Sequence, residues 1–559
     1  MKKTRFMKVT ALVILSLGML SACGGKGGSD TTKEEVKVEK SGFPIVKESL
    51  ELTMFAPSNG LGAYEDMAAL NTYAKKTGIS FTYTTPPSSD LSAKLNLAFA
   101  SGDIPDVIYG AGTGGALSKA VEIQYGGTTL IPLESYIDDG YAPNLKAILE
   151  AYPNIRKSIT APDGHIYSLP SLSGKYNIQD EEFAKKPELT RGTIWYNGKW
   201  LEKLGLKEPK TITEFYEMLV KFRDEDPNGN GKADEIPLSS AKLDSLRPWF
   251  LNAFGLYSQE QQVNEQGKVI YGAIDENYRH YIEFMHKLYK EKLLDQEVFS
   301  QSDDQKKAKG LANQLGAYTD WFSYFTSGKD ENTGALEDPM AYPLSSEYSP
   351  EAFLSTNDGV STGAFAITNK AKSPEAAIRW VDYFYSNEGA QFLKIGPDKE
   401  EGGFWHYDKN ANGDEVKVYN EEVDRANTED ARAKVTPDYG LVVPKIGAEN
   451  VVLINEKNEK VEPKAFAVWL DGELAEKVAS YEKVGWPTLY MSKEQQDQLG
   501  STMQTDLYTY VEGQEAKWIT GKEELTDASW EKYVGTLKQI GVDKFIEVYQ
   551  EAYDNWKNT

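Results

Sequence analysis

The stretch "SDLSAKLNLAFASGDIPDVIYG", residues 89–110, sets the architecture of what surrounds it. Its first half has helical spacing and stops at Gly102, and "IPDVIYG" then reads as a short buried strand. Upstream the same alternation repeats. "LELTMFAP" (Leu50–Pro57) and "ISFTYTTP" (residues 79–86) read as strands, and "AYEDMAALNTYAKKTG" (Ala63–Gly78) reads as the helix between them, with Gly78 as its stop. Strand-helix-strand-helix-strand units predict a largely parallel sheet with helices on both faces. Ligands of such sheets sit beyond the carboxyl ends of the strands.

The whole chain has 559 residues, too many for one core, so two lobes or domains are expected. Apolar residues make up 40% and charged residues 26%, which suits a globular protein, while 33 Tyr, 21 Phe and 11 Trp exceed what a core alone requires. The first residues stand apart from the fold. "MKKTRFMK" carries Lys2, Lys3, Arg5 and Lys8, "VTALVILSLGML" is a short apolar run, and "SAC" follows. That is the pattern of a secretion signal, residues 1–22. Its "LSAC" resembles the lipobox of bacterial lipoproteins, which implies that Cys23 becomes the new N-terminus and carries lipid; a plain signal peptide with a chance cysteine is the alternative. A single Cys excludes an internal disulfide framework and a thiolate metal cluster. Residues 23–45 are expected to form a lipidated, flexible tether, from the low apolar content of "GGKGGSDTTKEEVKVEKS". Loss of the leader's four basic side chains takes the formal charge from −24 to −28. Nucleic acid is excluded as a partner on that charge, and so is flat adsorption to an anionic membrane.

Several blocks, spread over nearly the whole mature chain, carry a resemblance. "LAFASGDIPDVI" (Leu97–Ile108), "LIPLESYIDDGYAPNL", "DGHIYSLPSL" (Asp163–Leu172), "WYNGKWLEKLGLKEPKTITEFYEML", "SPEAAIRWVDYFYSNEGAQF" and "WEKYVGTLKQIGVDKFIEVYQEAYDNW" are similar to the extracellular solute-binding lipoproteins of ABC importers. They match the long oligosaccharide-binding subgroup, alginate-binding proteins included. "IWYNGKWL" departs from the relatives, which carry an Arg and an Asp before the Trp. The resemblance implies an α/β, two-lobed periplasmic-binding-protein type 2 fold. Each lobe is then a mixed, mainly parallel sheet flanked by helices, with the ligand cleft between the lobes. "VSTGAFAITNKA" (Val360–Ala371) reads as a strand returning to the first lobe and "YGLVVPKI" (Tyr439–Ile446) as a strand crossing back. Lobe 1 is placed at 46–172 and 356–435, and lobe 2 at 173–355 and 436–559.

In lobe 2, "FRDEDPNGNGKADEIPL" (Phe222–Leu238) holds a graded run of oxygen donors. The helix before it is capped by Thr211 with Glu214 three residues on, and Phe215, Met218, Leu219 and Phe222 form its apolar stripe. Counting from Asp226, side-chain oxygens fall at positions one, three and five (Asn228, Asn230), with Gly231 at six. The carbonyl of Lys232 follows, then Asp234 and Glu235, within the loop 226–235. That is the first part of a Ca²⁺ loop. Position twelve is Pro237 instead of a bidentate Glu, so a helix-loop-strand site is expected, with Glu235 supplying the missing oxygen. The resembling lipoproteins carry nearly the same string as a structural calcium site; an Asx/Gly turn without metal is the alternative. "DKNANGDEVKVY" (Asp408–Tyr419) starts alike but runs out of donors at Val416 and Tyr419, and reads as a hairpin.

A sugar-binding cleft needs aromatic platforms ringed by polar groups. Trp249, Trp321 and Trp405 are the candidates, beside Arg247, Asp320 and His406; Trp380 and Trp530 sit at helical spacing and read as core. Lys199 and Arg247 would suit an acidic sugar. Catalysis has little support: His165, His280, His286 and His406 show no triad or metal spacing, and no Gly-x-Ser-x-Gly elbow occurs. The expectation is a monomeric, lipid-anchored receptor on the extracellular face of a bacterial membrane. It would close on an oligosaccharide and deliver it to the transmembrane subunits of an ABC permease. A surface glycoside hydrolase and a non-transport carbohydrate-binding adhesin are the alternatives.

Overall fold

The computed structural model describes residues 36–558, apart from 188–192, 332, 426 and 460–464. Cys23 and the leader therefore lie outside the described residues. The expected alternation is present: β1 (Leu50–Phe55), α1 (Ala68–Thr77), β2 (Ile79–Thr84), α2 (Leu91–Ser101) and β3 (Val107–Tyr109). Both helices end on a left-handed glycine, Gly78 at φ 78° and Gly102 at φ 73°. β1 pairs in parallel with β2 and with β3. The buried Asp106 of "IPDV" explains its place in that motif. Its carboxylate accepts from Thr53 N (2.8 Å), Thr53 Oγ1 (2.7 Å) and Lys372 N (2.9 Å), tying three segments of the sheet together.

After α3 (Lys119–Tyr125) and β4 (Leu169–Leu172) the chain leaves this sheet. It builds a second sheet from β5 (Ile194–Tyr196), β6 (Ile236–Ser239) and β7 (Leu315–Thr319), with α4 (Ile212–Asp224) and α5 (Leu243–Ala253) among its helices. β7 is central, parallel to β6 and antiparallel to β5. The chain then returns as β8 (Val360–Ile367), antiparallel to both β3 and β4. Here the loop after β3 approaches so closely that a Cβ at Gly112 would lie 2.6 Å from the Thr362 carbonyl oxygen. After α6 (Asn387–Ile395) come β9 (Trp405–Lys409) and β10 (Glu415–Tyr419), an antiparallel hairpin as its Asn-Gly turn predicts. α7 (Thr428–Val435), β11 (Lys445–Ile446), α8 (Ala465–Lys477) and α9 (Met503–Ile519) follow.

Three boundaries differ from expectation. β11 pairs in parallel with β4 and completes a six-stranded sheet of order β11-β4-β8-β3-β1-β2, so residues 436–446 belong with lobe 1. Ile45 and Val46 are buried and hydrogen-bond to Thr77 O, and Val38 bridges Val46, so residues 38–45 are pinned to lobe 1 instead of forming tether. Far along the chain, Tyr490 packs into the lobe 1 core with Phe55, Leu95 and Leu117. Its hydroxyl donates to Glu122 Oε2 on α3 at 2.8 Å, while Thr488 caps Asp358 through N (2.6 Å) and Oγ1 (2.9 Å). A segment expected in lobe 2 thus grips lobe 1, held by a buried polar contact that local patterning cannot signal.

Burial pushes the Glu122 carboxyl up to about 7, against the opposing pull of the Tyr490 and Ser168 donors and of Lys119. The folded protein therefore takes up a proton at Glu122 between pH 4.5 and about 7, so its contribution to stability falls as pH rises through that window. Glu122→Gln should remove this slope. At pH 8 the variant is expected to be more stable than the parent by about 3 kcal/mol, with the difference vanishing near pH 4.5, as read by paired denaturant titrations.

Candidate functional site

The chain crosses between the sheets next to the carboxyl ends of their parallel strands. In lobe 1 the loop after β1 is fastened by Asn59, whose Nδ2 donates to Ala433 O at 2.7 Å. The loop after β3 is fastened by Ala111, which bridges Val442, and by Thr113 Oγ1, which accepts from Val442 N at 2.8 Å. Residues 433–442 therefore lie across the carboxyl ends of β1 and β3. Tyr439 stands half-buried on this rim, with the Arg432 guanidinium 5.5 Å from its ring centre.

In lobe 2 the corresponding edge is aromatic. β7 ends at Thr319, beside the first residue of β5, Ile194. Asp320 caps the following turn: its Oδ1 accepts from Trp321 N (2.7 Å) and its Oδ2 from Thr326 Oγ1 (2.6 Å) and Lys306 Nζ (3.2 Å). The turn presents Trp321 and Phe325, each 45% exposed. Against Phe325 pack Phe322 and Tyr324; Phe322 stacks on Tyr324 at 5.5 Å, Tyr324 meets Phe466 edge-on at 5.0 Å, and Phe466 touches Trp469 at 5.3 Å. Trp195 closes the shelf from below, 6.2 Å from Trp469, its Nε1 donating to Asp320 O at 3.1 Å. Phe466 and Trp469 lie one turn apart on α8, the first helix after the chain re-enters lobe 2. Large rings left open on a surface whose interior is already full are the arrangement that stacks on the C–H faces of a sugar.

Of the expected contacts, Trp321 and Asp320 fall on this shelf, the first as an open face and the second as its anchor. Trp249 lies within the lobe 2 core, 3% exposed. Arg247 is engaged by Glu515 Oε2 (2.7 Å), Asp244 Oδ1 (2.8 Å) and Glu512 Oε1 (3.2 Å), so its guanidinium has no edge left for a uronate. Lys199 pairs with Glu337 at 3.5 Å. Trp405 is buried in a satellite cluster with Ile395, Phe404 and Val423, its Nε1 donating to Ile395 O at 3.1 Å, and His406 contacts Asn420. Neither Trp249 nor Trp405 offers an open ring. Phe322, Tyr324, Phe325, Trp469 and Tyr439 were not singled out from the sequence; the run "DWFSYF" directly after a buried strand was the available signal.

The loop 226–235 is wound as its composition predicts. α4 begins with the Thr211–Glu214 capping box and buries Phe215, Met218, Leu219 and Phe222. Asp226 takes φ 46°, and its carboxylate accepts from the backbone N–H of Gly229 (3.0 Å), Asn230 (3.1 Å) and Gly231 (3.2 Å). The side-chain amides of Asn228 and Asn230 turn their N–H groups onto Asp234 Oδ1, at 3.0 and 2.9 Å. These donors hold the Asp234 carboxyl below its usual range. Burial raises that of Glu235, whose Oε1 is enclosed and has no partner among the described residues. Among the described residues no three His, Cys, Asp or Glu side chains stand close enough together to ligate a metal. The donor set nevertheless fits a hard cation. The orphaned Glu235 oxygen is free to ligate one, and turning either amide over would replace N–H by Oδ1 at the same point. β6 follows directly, so the loop joins helix to strand as expected.

A model of the bacterial extracellular solute-binding protein family matches residues 58–391. The fructooligosaccharide ABC transporter substrate-binding protein FusA of Streptococcus pneumoniae is 28% identical over 100% of this chain and 99% of its own length. The solved structure of FusA in complex with kestose superposes with a TM-score of 0.68 at 26% identity, covering 91% of this chain and 99% of that one. An EF-hand mutant of FusA in complex with fructo-nystose gives 0.67 at 25% identity, with the same coverage. The fold is thus the two-lobed type 2 fold expected from the sequence. Among the described residues no helix is long and apolar enough to cross a membrane.

The ion pairing of Arg247 generates a stability test. Glu515 has 1% of its side chain exposed and accepts from Arg247 and from Tyr281 Oη at 2.8 Å. Arg247→Ala strands that carboxylate, and a loss of about 3–5 kcal/mol in unfolding free energy by urea titration is expected.

Proposed function

We propose, for a chain that belongs to the bacterial extracellular solute-binding protein family, that it is the lipid-anchored receptor of an ABC importer. It captures an oligosaccharide between its lobes and passes it unaltered to the permease. The observation that carries this reading is the aromatic shelf of Trp321, Phe325 and Trp469 at the lobe 2 edge, beside the crossing segments and on the carboxyl-end side of both sheets. Neither shelf nor rim alone encloses a solute, so ligand shifts the population toward a closed form in which both make contact. Cys23 would hold the protein to the outer face of the membrane as a monomer. Fructose-containing oligosaccharides, named for the full-length relative, are the first solutes to test. Binding without turnover distinguishes this receptor from a surface glycosidase, and closure distinguishes it from a passive adhesin.

The mechanism is one of stacking and exclusion. Trp321 and Phe325 accept the apolar face of a ring, and the polar rim around Asn59, Thr113 and Tyr439 completes the enclosure. The Asp320 cap keeps the turn rigid, so little side-chain freedom is lost on binding. Titration calorimetry against a fructooligosaccharide panel is expected to give saturable binding by the parent. Trp321→Ala should weaken it at least tenfold with unchanged melting, since the ring is exposed. Small-angle scattering should show a smaller radius of gyration with the bound solute. Equal affinity of parent and variant would remove the shelf from the site.

Ca²⁺ in the loop 226–235 belongs to the same proposal, with Asp226, Asn228, Asn230, the Lys232 carbonyl, Asp234 and Glu235 as its holders. It would neutralise a cluster of carboxylates and brace α4 against β6, away from the solute. Melting in excess chelator is expected to fall by several degrees relative to calcium buffer, and Asp226→Ala should melt alike in both; identical melting of the parent would remove the metal.

A further inference from the structure

The helix Asp303–Leu311, which directly precedes β7, turns inward an unusual residue. A surface helix normally buries an apolar stripe. Here Lys306 is the one buried residue, 2% exposed. Its ammonium donates to Thr319 O at 2.7 Å and to Asp320 Oδ2 at 3.2 Å, and it pairs with Asp303 Oδ1 at 2.9 Å. Thr319 and Asp320 are the two residues that lead into Trp321. Withdrawing an ammonium from water is costly unless its donors are met, and an aliphatic side chain would fill the same space without that cost.

The same helix meets the shelf at further points. One turn on from Lys306, a Cβ at Gly310 would lie 2.3 Å from Thr326 O, so the helix backbone is pressed against the turn that bears Trp321 and Phe325. Lys309 donates to Asp295 Oδ2 and to Gln301 Oε1, both at 2.8 Å, and Gln301 Nε2 reaches Ser240 O, just past β6, at 2.7 Å. Ser240 Oγ in turn lies 2.6 Å from Thr319 Oγ1. One helix thus fixes the carboxyl ends of both β6 and β7. The peptide before Trp321 is held from the other side as well, with Asp320 N donating to Thr193 O at 3.2 Å and Asp320 O accepting from Trp195 Nε1 at 3.1 Å. A ring with so open a face owes its direction to the backbone beneath it.

We infer that the helix Asp303–Leu311 is a positioning element of the solute site, with Lys306 as the positioning residue that aims the Trp321 ring. Neither Lys306 nor Gly310 touches the solute; each acts through the residues on either side of that ring. The inference rests on the receptor reading above and deepens it, because affinity is then set in part by a buried ammonium behind the shelf.

Two measurements on the purified protein test it. Titration calorimetry with a fructotrisaccharide compares the parent with Lys306→Met, Gly310→Ala, Trp321→Ala and the double variant Lys306→Met/Trp321→Ala. Lys306→Met and Gly310→Ala are each expected to weaken binding by about fivefold or more, the worth of one well-stacked ring contact. In the Trp321→Ala background, adding Lys306→Met should cost less than about twofold, since no ring is left to aim. An equal loss in both backgrounds, the mark of a merely structural lysine, overturns the inference. The second measurement needs no solute. The fluorescence anisotropy of Trp321, taken as the difference between each protein and its Trp321→Ala counterpart, should fall in a Lys306→Met chain shown to be folded by circular dichroism. A parent-like value there overturns the inference. Should Lys306→Met fail to fold, Gly310→Ala carries both comparisons, and parent-like affinity and anisotropy in it overturn the inference equally. Failure of the parent to bind any sugar overturns the receptor reading instead, and the anisotropy still decides the role of Lys306.

Discussion

β8 runs antiparallel between β3 and β4, filling the centre of the lobe 1 sheet with a strand that arrives only after lobe 2 has been built. Its neighbours' buried N–H and C=O groups have no other partner, so the sheet cannot be completed until the chain returns. The excursion from residue 173 to 355 must therefore begin and end at one edge of one sheet. That closure condition sets two lobes side by side, with the carboxyl ends of their strands toward the crossings. The close contact of Gly112 with the Thr362 carbonyl marks how tightly the returning strand is seated.

From this arrangement the division of labour between the lobes follows. Lobe 1 brings a polar rim, whose segment 433–442 is strapped to the loops after β1 and β3. Lobe 2 brings rings. Trp321 and Phe325 remain open, Phe325 backed by Phe322 and Tyr324, and Asp320 holds the turn that carries them. In the proposed receptor, rings held this way would lose little freedom on binding, which favours affinity from a small number of contacts.

Charge is managed locally in a strongly acidic chain. Arg247 gathers three carboxylates, and Asp438 gathers two cations that hold it below the usual carboxylate range despite its burial. In the loop 226–235 the carboxylates of Asp226 and Asp234 are met by neutral N–H donors, the amides of Asn228 and Asn230 among them, and Glu235 Oε1 keeps no partner among the described residues. Glu122 is the converse case, a carboxyl kept protonatable near neutrality because it is sealed between α3 and the segment bearing Tyr490.

Elements whose cause is local were legible in the chain. Gly78 and Gly102 stop helices because glycine tolerates a left-handed backbone, the Thr211–Glu214 box starts one, and the Asn-Gly turn makes the β9–β10 hairpin. The oxygen-donor spacing from Asp226 to Glu235 likewise needs only neighbours in sequence, and the ordered family blocks conveyed the two-lobed plan. Long-range pairing decided the rest. Whether Trp249, Trp321 or Trp405 keeps an open face depends on which distant side chains cover it, and Arg247 was claimed by Glu515, 268 residues away. Tyr490 in the lobe 1 core and β11 beside β4 share that origin. Burial and pairing are properties of surfaces brought together from afar, and a residue's own neighbours along the chain carry no record of them.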